Sequence, residues 1–83
     1  MSNPTERITA KYNEVFEKEL FNLEFRRDRD KGCKIEDIEG VLAHLYIREG
    51  ANIDGRGELQ DAVMSATIAA HEHFIAQWKA EKR

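Results

Sequence analysis

The chain has 83 residues and a net charge of −3, which predicts a single domain with no general attraction to nucleic acid or to anionic membranes. Hydrophobic residues make up 41% and charged residues 35% of the chain, a balance typical of a folded domain with a charged surface. Cys33 is the only cysteine, which excludes a disulfide within one chain and favours a reducing compartment. No stretch approaches the roughly 20 apolar residues of a membrane span, and the start has no signal-peptide pattern. We therefore expect a cytoplasmic protein without a membrane partner.

The first predicted helix covers residues 4–31 approximately. Asn3 suits the N-cap, Pro4 the first helical position, and Gly32 the C-cap. Its main apolar face recurs at helical spacing and comprises Ile8, Tyr12, Val15, Phe16, Leu20 and Leu23.

Two further aromatic residues, Phe21 and Phe25, point to nearly the opposite side of this helix. This second apolar side has two interpretations. Either the helix lies between the other two helices, or Phe21 and Phe25 pack on another subunit, because a small bundle leaves few faces to cover a second stripe.

The second predicted helix covers about residues 35–49. Its apolar seam comprises Ile35, Ile38, Leu42 and Leu45, with Val41 and Tyr46 beside it. Gly40 lies in the interior of this helix, where glycine costs about 1 kcal/mol relative to alanine. A close crossing with another helix would explain this glycine.

The third predicted helix covers about residues 57–81 and organises the fold. Placed on a helical wheel, it shows two apolar stripes. The first stripe comprises Leu59, Val63, Ala66, Ala70 and Phe74, and the second comprises Met64, Ile68, Ile75 and Trp78, with His71 among them. A surface helix of a small domain needs one apolar stripe. Two stripes predict that this helix lies at the centre of a bundle or of a dimer.

These elements predict an all-α fold, a three-helix up-down-up bundle with long first and third helices, paired into a homodimer. Seven apolar residues are left over after a simple three-helix core: Phe21, Phe25, Ile47, Met64, Ile68, Ile75 and Trp78. The predicted interface consists of these residues apart from Ile47. Aromatic residues and Met are enriched at interface cores, and monomers rarely expose a large apolar patch. The predicted partners are therefore a second copy and an unidentified protein.

A basic cluster after the first helix supports a second hypothesis, that of a helical regulator associated with nucleic acid. Its members are Arg26, Arg27, Arg29, Lys31 and Lys34. Asp28 and Asp30 interrupt the cluster, which weakens it as a footprint for phosphates. Nucleic-acid binding therefore ranks below protein association.

Three histidines support a weaker hypothesis, that of a metal-binding bundle. His71 and His73 are two residues apart and lie on different sides of a helix, so they cannot chelate one ion together. A site would combine His44, one of those two histidines and a carboxylate such as Glu19 or Glu24.

The sequence contains no pair of groups with matched catalytic roles and no cofactor motif. We therefore expect a small, non-enzymatic interaction or regulatory protein that needs no cofactor and no metal.

Overall fold

The computed structural model describes residues 4–51 and 57–81 of the chain. Within these ranges every regular element is helical: α1 is Pro4–Arg29, α2 is Ile35–Ala51 and α3 is Glu58–Glu81. The predicted all-α class is confirmed. The first helix ends two residues earlier than expected, and the second continues two residues further. The expected N-cap Asn3 lies outside the described residues. None of the described helices is long and apolar enough to cross a membrane.

The turn between α1 and α2 is organised by Asp30. Its backbone N–H donates to the Arg26 carbonyl at 2.9 Å, and its own carbonyl accepts the Cys33 N–H at 3.0 Å. Its side chain accepts the Gly32 N–H at 2.9 Å, a turn that Asp forms with the residue two positions on. The expectation that Gly32 is the C-cap is therefore refined, because the helix ends at Arg29 and Asp30 shapes the turn.

The start of α2 is fixed by Asp37. Its carboxylate accepts the backbone N–H of Lys34 at 3.0 Å, three residues earlier. This is half of a capping box, in which the acid satisfies a donor that the helix itself leaves unpaired. Glu36 and Asp37 also place negative charge in the first turn, which the helix dipole favours.

Helix α3 lies between α1 and α2 and packs against both, more extensively against α1. Over the described ranges, the backbones of α1 and α2 do not come close to each other. The layer therefore has α3 at its centre, and the interpretation that the first helix lies between the other two is wrong. The overall dimensions of the molecule are 44 × 30 × 22 Å.

Helices α1 and α3 begin side by side and end side by side. Ile8 and Glu58 share a crevice near their starts, and Arg27 pairs with Glu81 near their ends. Small side chains form a buried stripe on α3 at i, i+4 and i+8, and they allow α1 to approach closely. The stripe comprises Ala62, Ala66 and Ala70. It explains why α3 packs more extensively against α1 than against α2.

Helix α2 contacts α3 in the reverse order. Lys79, near the end of α3, forms an ion pair with Glu39 near the start of α2, at 3.2 Å. Further along α2, the Tyr46 hydroxyl donates to the Glu72 carboxylate. These polar contacts border the seam of α2, in which the first two residues are buried and the last two half-buried: Ile35, Ile38, Leu42 and Leu45.

The core lies at the end of the molecule where the turn joins α1 to α2. It comprises Leu23, Cys33, Ile35, Ile38, Phe74, Ile75 and Trp78, with Leu20 and Leu42 packed on it. Phe74 and Trp78 meet edge to face, with ring centroids 5.6 Å apart. All three helices and the turn contribute, so this cluster holds α1 and α2 to α3 at one end.

Gly40 is exposed, and a methyl group built at its Cα would meet nothing within 4 Å. The expectation of a close helix crossing at Gly40 is therefore wrong. A neighbouring helix would have placed atoms beside it, and the closest packing of α2 is instead around Ile38, on another side of the helix.

Candidate functional site

A groove of about 440 Å³ opens between α1 and α2, with α3 as its floor. Glu19 of α1 forms one wall, and Val41, Leu45 and Arg48 of α2 form the other. The backbones of α1 and α2 do not approach each other within the described ranges, so a strip of α3 lies between them as the floor of this groove. We call it the α3 groove. Its floor comprises Gln60, Val63, Met64, Thr67 and His71.

The polar groups on the floor bond to the backbone of α3. The Thr67 hydroxyl donates to the Val63 carbonyl at 2.8 Å. His71 is buried, and its Nδ1 lies 2.7 Å from the Thr67 carbonyl oxygen. A carbonyl only accepts, so Nδ1 carries the proton in this hydrogen bond. Thr67 and His71 therefore do not form a nucleophile–base pair, which would need the hydroxyl to bond to the imidazole.

The predicted interface residues of α3 fall into two groups. Ile68, Ile75 and Trp78 are buried by their own chain, so their apolar character gives no argument for pairing. They are covered because α2 packs on the side of α3 that carries Ile68 and Ile75, while the turn and α1 close over Trp78. Met64 is half-buried and lies on the floor of the α3 groove.

The predicted interface residues of α1 lie elsewhere. Phe21 is 63% exposed and Phe25 51% exposed. Their rings stack on each other with centroids 6.2 Å apart, and the Arg29 guanidinium lies 5.3 Å from the Phe25 centroid. On a helical wheel they lie opposite to Leu23, which faces the core. Phe21 and Phe25 therefore belong to the outer face of α1 and share no surface with Met64.

Sequence reasoning misses the walls of the groove. The pattern makes Val41 a neighbour of the α2 seam and Glu19 a candidate metal ligand, and it does not single out Arg48. The available signal is the position of Val41 and Arg48, seven residues apart on one side of α2. Nothing local shows that α1 leaves that side open.

The structure places the basic cluster around the turn. Arg27 donates from Nη1 and Nη2 to the two Glu81 carboxylate oxygens, each at 3.0 Å. This hydrogen bond raises the pKa of Arg27 and lowers the pKa of Glu81 from its ordinary value. Arg29 lies over Phe25, so two of the five cations are engaged within the fold. The other cations are exposed, as are the interrupting acids: Arg26, Lys31, Lys34, Asp28 and Asp30.

The histidines are placed apart. His44 is exposed on α2, His71 is on the groove floor, and His73 packs on Phe16 with ring centroids 5.8 Å apart. Of the two candidate carboxylates, Glu19 lines the same groove as His71, while Glu24 lines a different crevice. Among the residues that the structure describes, no cluster of three His, Cys, Asp or Glu side chains is arranged to hold a metal ion.

Comparison of this chain with protein-family models, with curated proteins and with solved structures finds no match.

Proposed function

We propose that this chain is a small, non-enzymatic protein-interaction module of the cytoplasm, folded as a three-helix up-down-up unit. The α3 groove is its docking surface. A homodimer is the simplest form of this docking, because one kind of chain then supplies both docking surfaces.

The observation that carries the proposal is an apolar surface left open beside the central helix. Val41 is 38% exposed on one wall, and Val63 and Met64 are half-buried on the floor. Grooves with this lining accept the apolar face of an amphipathic helix, whose contacts recur at i, i+3, i+4 and i+7. Met suits such a surface, because its unbranched side chain adapts to different partners.

The polar groups of the groove support binding over catalysis. Thr67 and His71 are each bonded to a backbone carbonyl of α3. Glu19 and Arg48 are on opposite walls, where each can orient a bound helix by its charge. The lining thus combines an apolar centre with a charged rim, the usual composition of a protein interface.

A site-specific photo-crosslinking experiment tests the proposal. A benzophenone amino acid replaces Val41 in the groove or, as the matched control, Ile47, which is 67% exposed and lies outside the α3 groove. Cells of the source organism expressing each variant are irradiated, and adducts are identified by mass spectrometry. We expect discrete polypeptide adducts from position 41 and none of these from position 47.

A second variant separates specific docking from chance contact. Met64→Glu places a charge on the groove floor, where an apolar partner would have to desolvate it. Adducts from position 41 should then disappear while circular dichroism shows the fold intact. Adducts that persist in Met64→Glu, or that arise equally from positions 41 and 47, would show that the groove is not the docking surface.

A further inference from the structure

Two charges of opposite sign face the α3 groove from opposite walls. Glu19 is half-buried on α1, and Arg48 is exposed on α2. Within the described residues neither forms an ion pair, whereas the Arg27 guanidinium is already paired with Glu81. Both charges border the same stretch of α3, which includes His71. Phe16, one turn before Glu19, packs on His73, and Tyr46, two residues before Arg48, bonds to Glu72. The two charges therefore lie at a similar level along the central helix.

This arrangement is self-complementary under one particular symmetry. Two copies stacked groove to groove by a two-fold axis parallel to α3 would place α1 of each copy over α2 of the other. Glu19 of one copy would then face Arg48 of the second copy, twice. A two-fold axis perpendicular to α3 and in the plane of the layer would instead oppose Glu19 to Glu19 and Arg48 to Arg48, which costs free energy.

We infer that the occupant of the α3 groove is a second copy of this chain, related by a two-fold axis parallel to α3 and fixed by two Glu19–Arg48 pairs between copies. The inference rests on the proposed docking function of the groove and names its partner. The interface is isologous, since the same patch is used on both copies.

The size of the layer is sufficient for this occupant. Its broad face measures 44 × 30 Å, larger than the roughly 800 Å² that each partner buries in a standard interface. Val63 and Met64, on the floor of each copy, would be covered by the second copy. An 83-residue chain with a core at one end also gains more from a second subunit than a larger domain would.

The test is sedimentation equilibrium of the purified full chain over a range of concentrations. Wild-type protein should give twice the 9.6 kDa chain mass. Glu19→Arg and Arg48→Glu each convert two attractive pairs into two repulsive ones, so each should raise the dimer dissociation constant about tenfold or more. The double variant restores both pairs with reversed signs and should restore the dimer.

A mixture of the Glu19→Arg and Arg48→Glu variants gives the most discriminating measurement. The introduced arginine of one chain then faces the introduced glutamate of the other, and Arg48 of the first chain faces Glu19 of the second. Both contacts are attractive, so equal amounts of the two variants should form a heterodimer although neither forms a homodimer. Glu24→Arg is the matched control, because Glu24 lies on the same helix but lines a different crevice. It should leave the association unchanged.

Three results would overturn the inference. A dimer that neither Glu19→Arg nor Arg48→Glu weakens uses another surface. A dimer that Phe21→Glu dissociates uses the outer face of α1. A wild-type chain that stays monomeric at every concentration has no second copy in its groove. In the last case, adducts from position 41 in cells would show that the groove still docks another protein, whereas their absence would remove the proposed function as well.

Discussion

The guanidinium of Arg27 lies over the ring of Trp78, with its central carbon 4.0 Å from the ring centroid. The same guanidinium donates two hydrogen bonds to Glu81. Arg27 is near the end of α1, and Trp78 and Glu81 are near the end of α3. One side chain thus connects the ends of the two helices by a cation–π contact and a bidentate ion pair.

Replacement of Arg27 by lysine should lower the midpoint of guanidinium-chloride unfolding, although the charge is kept. An ammonium group can neither stack on Trp78 as a plane nor bond to both carboxylate oxygens in fork geometry. Trp78 is the only tryptophan of the chain, so its fluorescence reports both unfolding and the loss of the stacked cation. Arg26→Lys, at a neighbouring exposed position, is the control. Identical midpoints and spectra for both variants would contradict this role of Arg27.

The Arg27–Glu81 pair predicts a dependence of stability on acid. The hydrogen bond from Arg27 lowers the pKa of Glu81 in the folded chain, so near that pKa the unfolded chain binds more protons. The resulting stabilisation is present above the ordinary carboxyl pKa and is lost as pH falls through the lowered one. The difference in unfolding midpoint between wild type and Glu81→Gln should therefore be largest near pH ~6 and shrink toward pH ~3. A difference that does not change with pH would exclude this linkage.

The Tyr46–Glu72 hydrogen bond predicts that the Tyr46 phenol loses its proton at a higher pH than an ordinary tyrosine. Donation to the carboxylate raises the pKa of Tyr46 above its ordinary value, with desolvation as the second cause. The associated stabilisation is present below the ordinary phenol pKa of about 10 and is lost as pH rises through the raised value. In a Tyr12→Phe background, phenolate absorbance follows Tyr46 alone, because the chain has two tyrosines. Glu72→Ala should lower the midpoint of that titration, and an unmoved midpoint would argue against the bond.

Substitution of Ile38 tests where the core of the protein lies. It is 0% exposed and packs in the cluster that unites all three helices. Ile38→Ala should destabilise the chain by about 2–5 kcal/mol, through lost transfer free energy and a cavity. Ile47→Ala removes the same atoms from the exposed side of α2 and should stay within about 0.5 kcal/mol of wild type. Chemical denaturation of the two variants measures the contrast, and equal losses would show that the core is elsewhere.

Gly40 offers a stabilising substitution. It is exposed within α2, its Cβ position is open, and alanine is the better helix former. Gly40→Ala should raise the free energy of unfolding by about 0.5–1 kcal/mol. Gly32→Ala is the control, because Gly32 lies in the turn after α1 and gains nothing from helix propensity. Destabilisation by Gly40→Ala would show that the glycine is needed for a close approach.

By itself, the sequence determined the all-α class, the approximate bounds of three helices and the apolar seam of α2. These features depend on spacing, caps and propensity, which act over a few neighbouring residues. The two apolar stripes of the third helix also indicated its central place, since a helix that is apolar on two sides needs cover on both.

Only the tertiary structure decided what provides that cover. Helix α2, the turn and helix α1 together bury Ile68, Ile75 and Trp78, which the sequence pattern assigns to a second subunit. The tertiary structure also decided that Glu19 and Arg48 lie on opposite walls of one groove.

The physical reason is that the side of a helix met by its neighbours depends on where the connecting turn directs the next helix. That direction is set by contacts between residues far apart in the chain, such as the Arg27–Glu81 ion pair and the core cluster that includes Leu23 and Phe74. Spacing and propensity describe only neighbours in the chain, so no local pattern predicts the direction of the next helix.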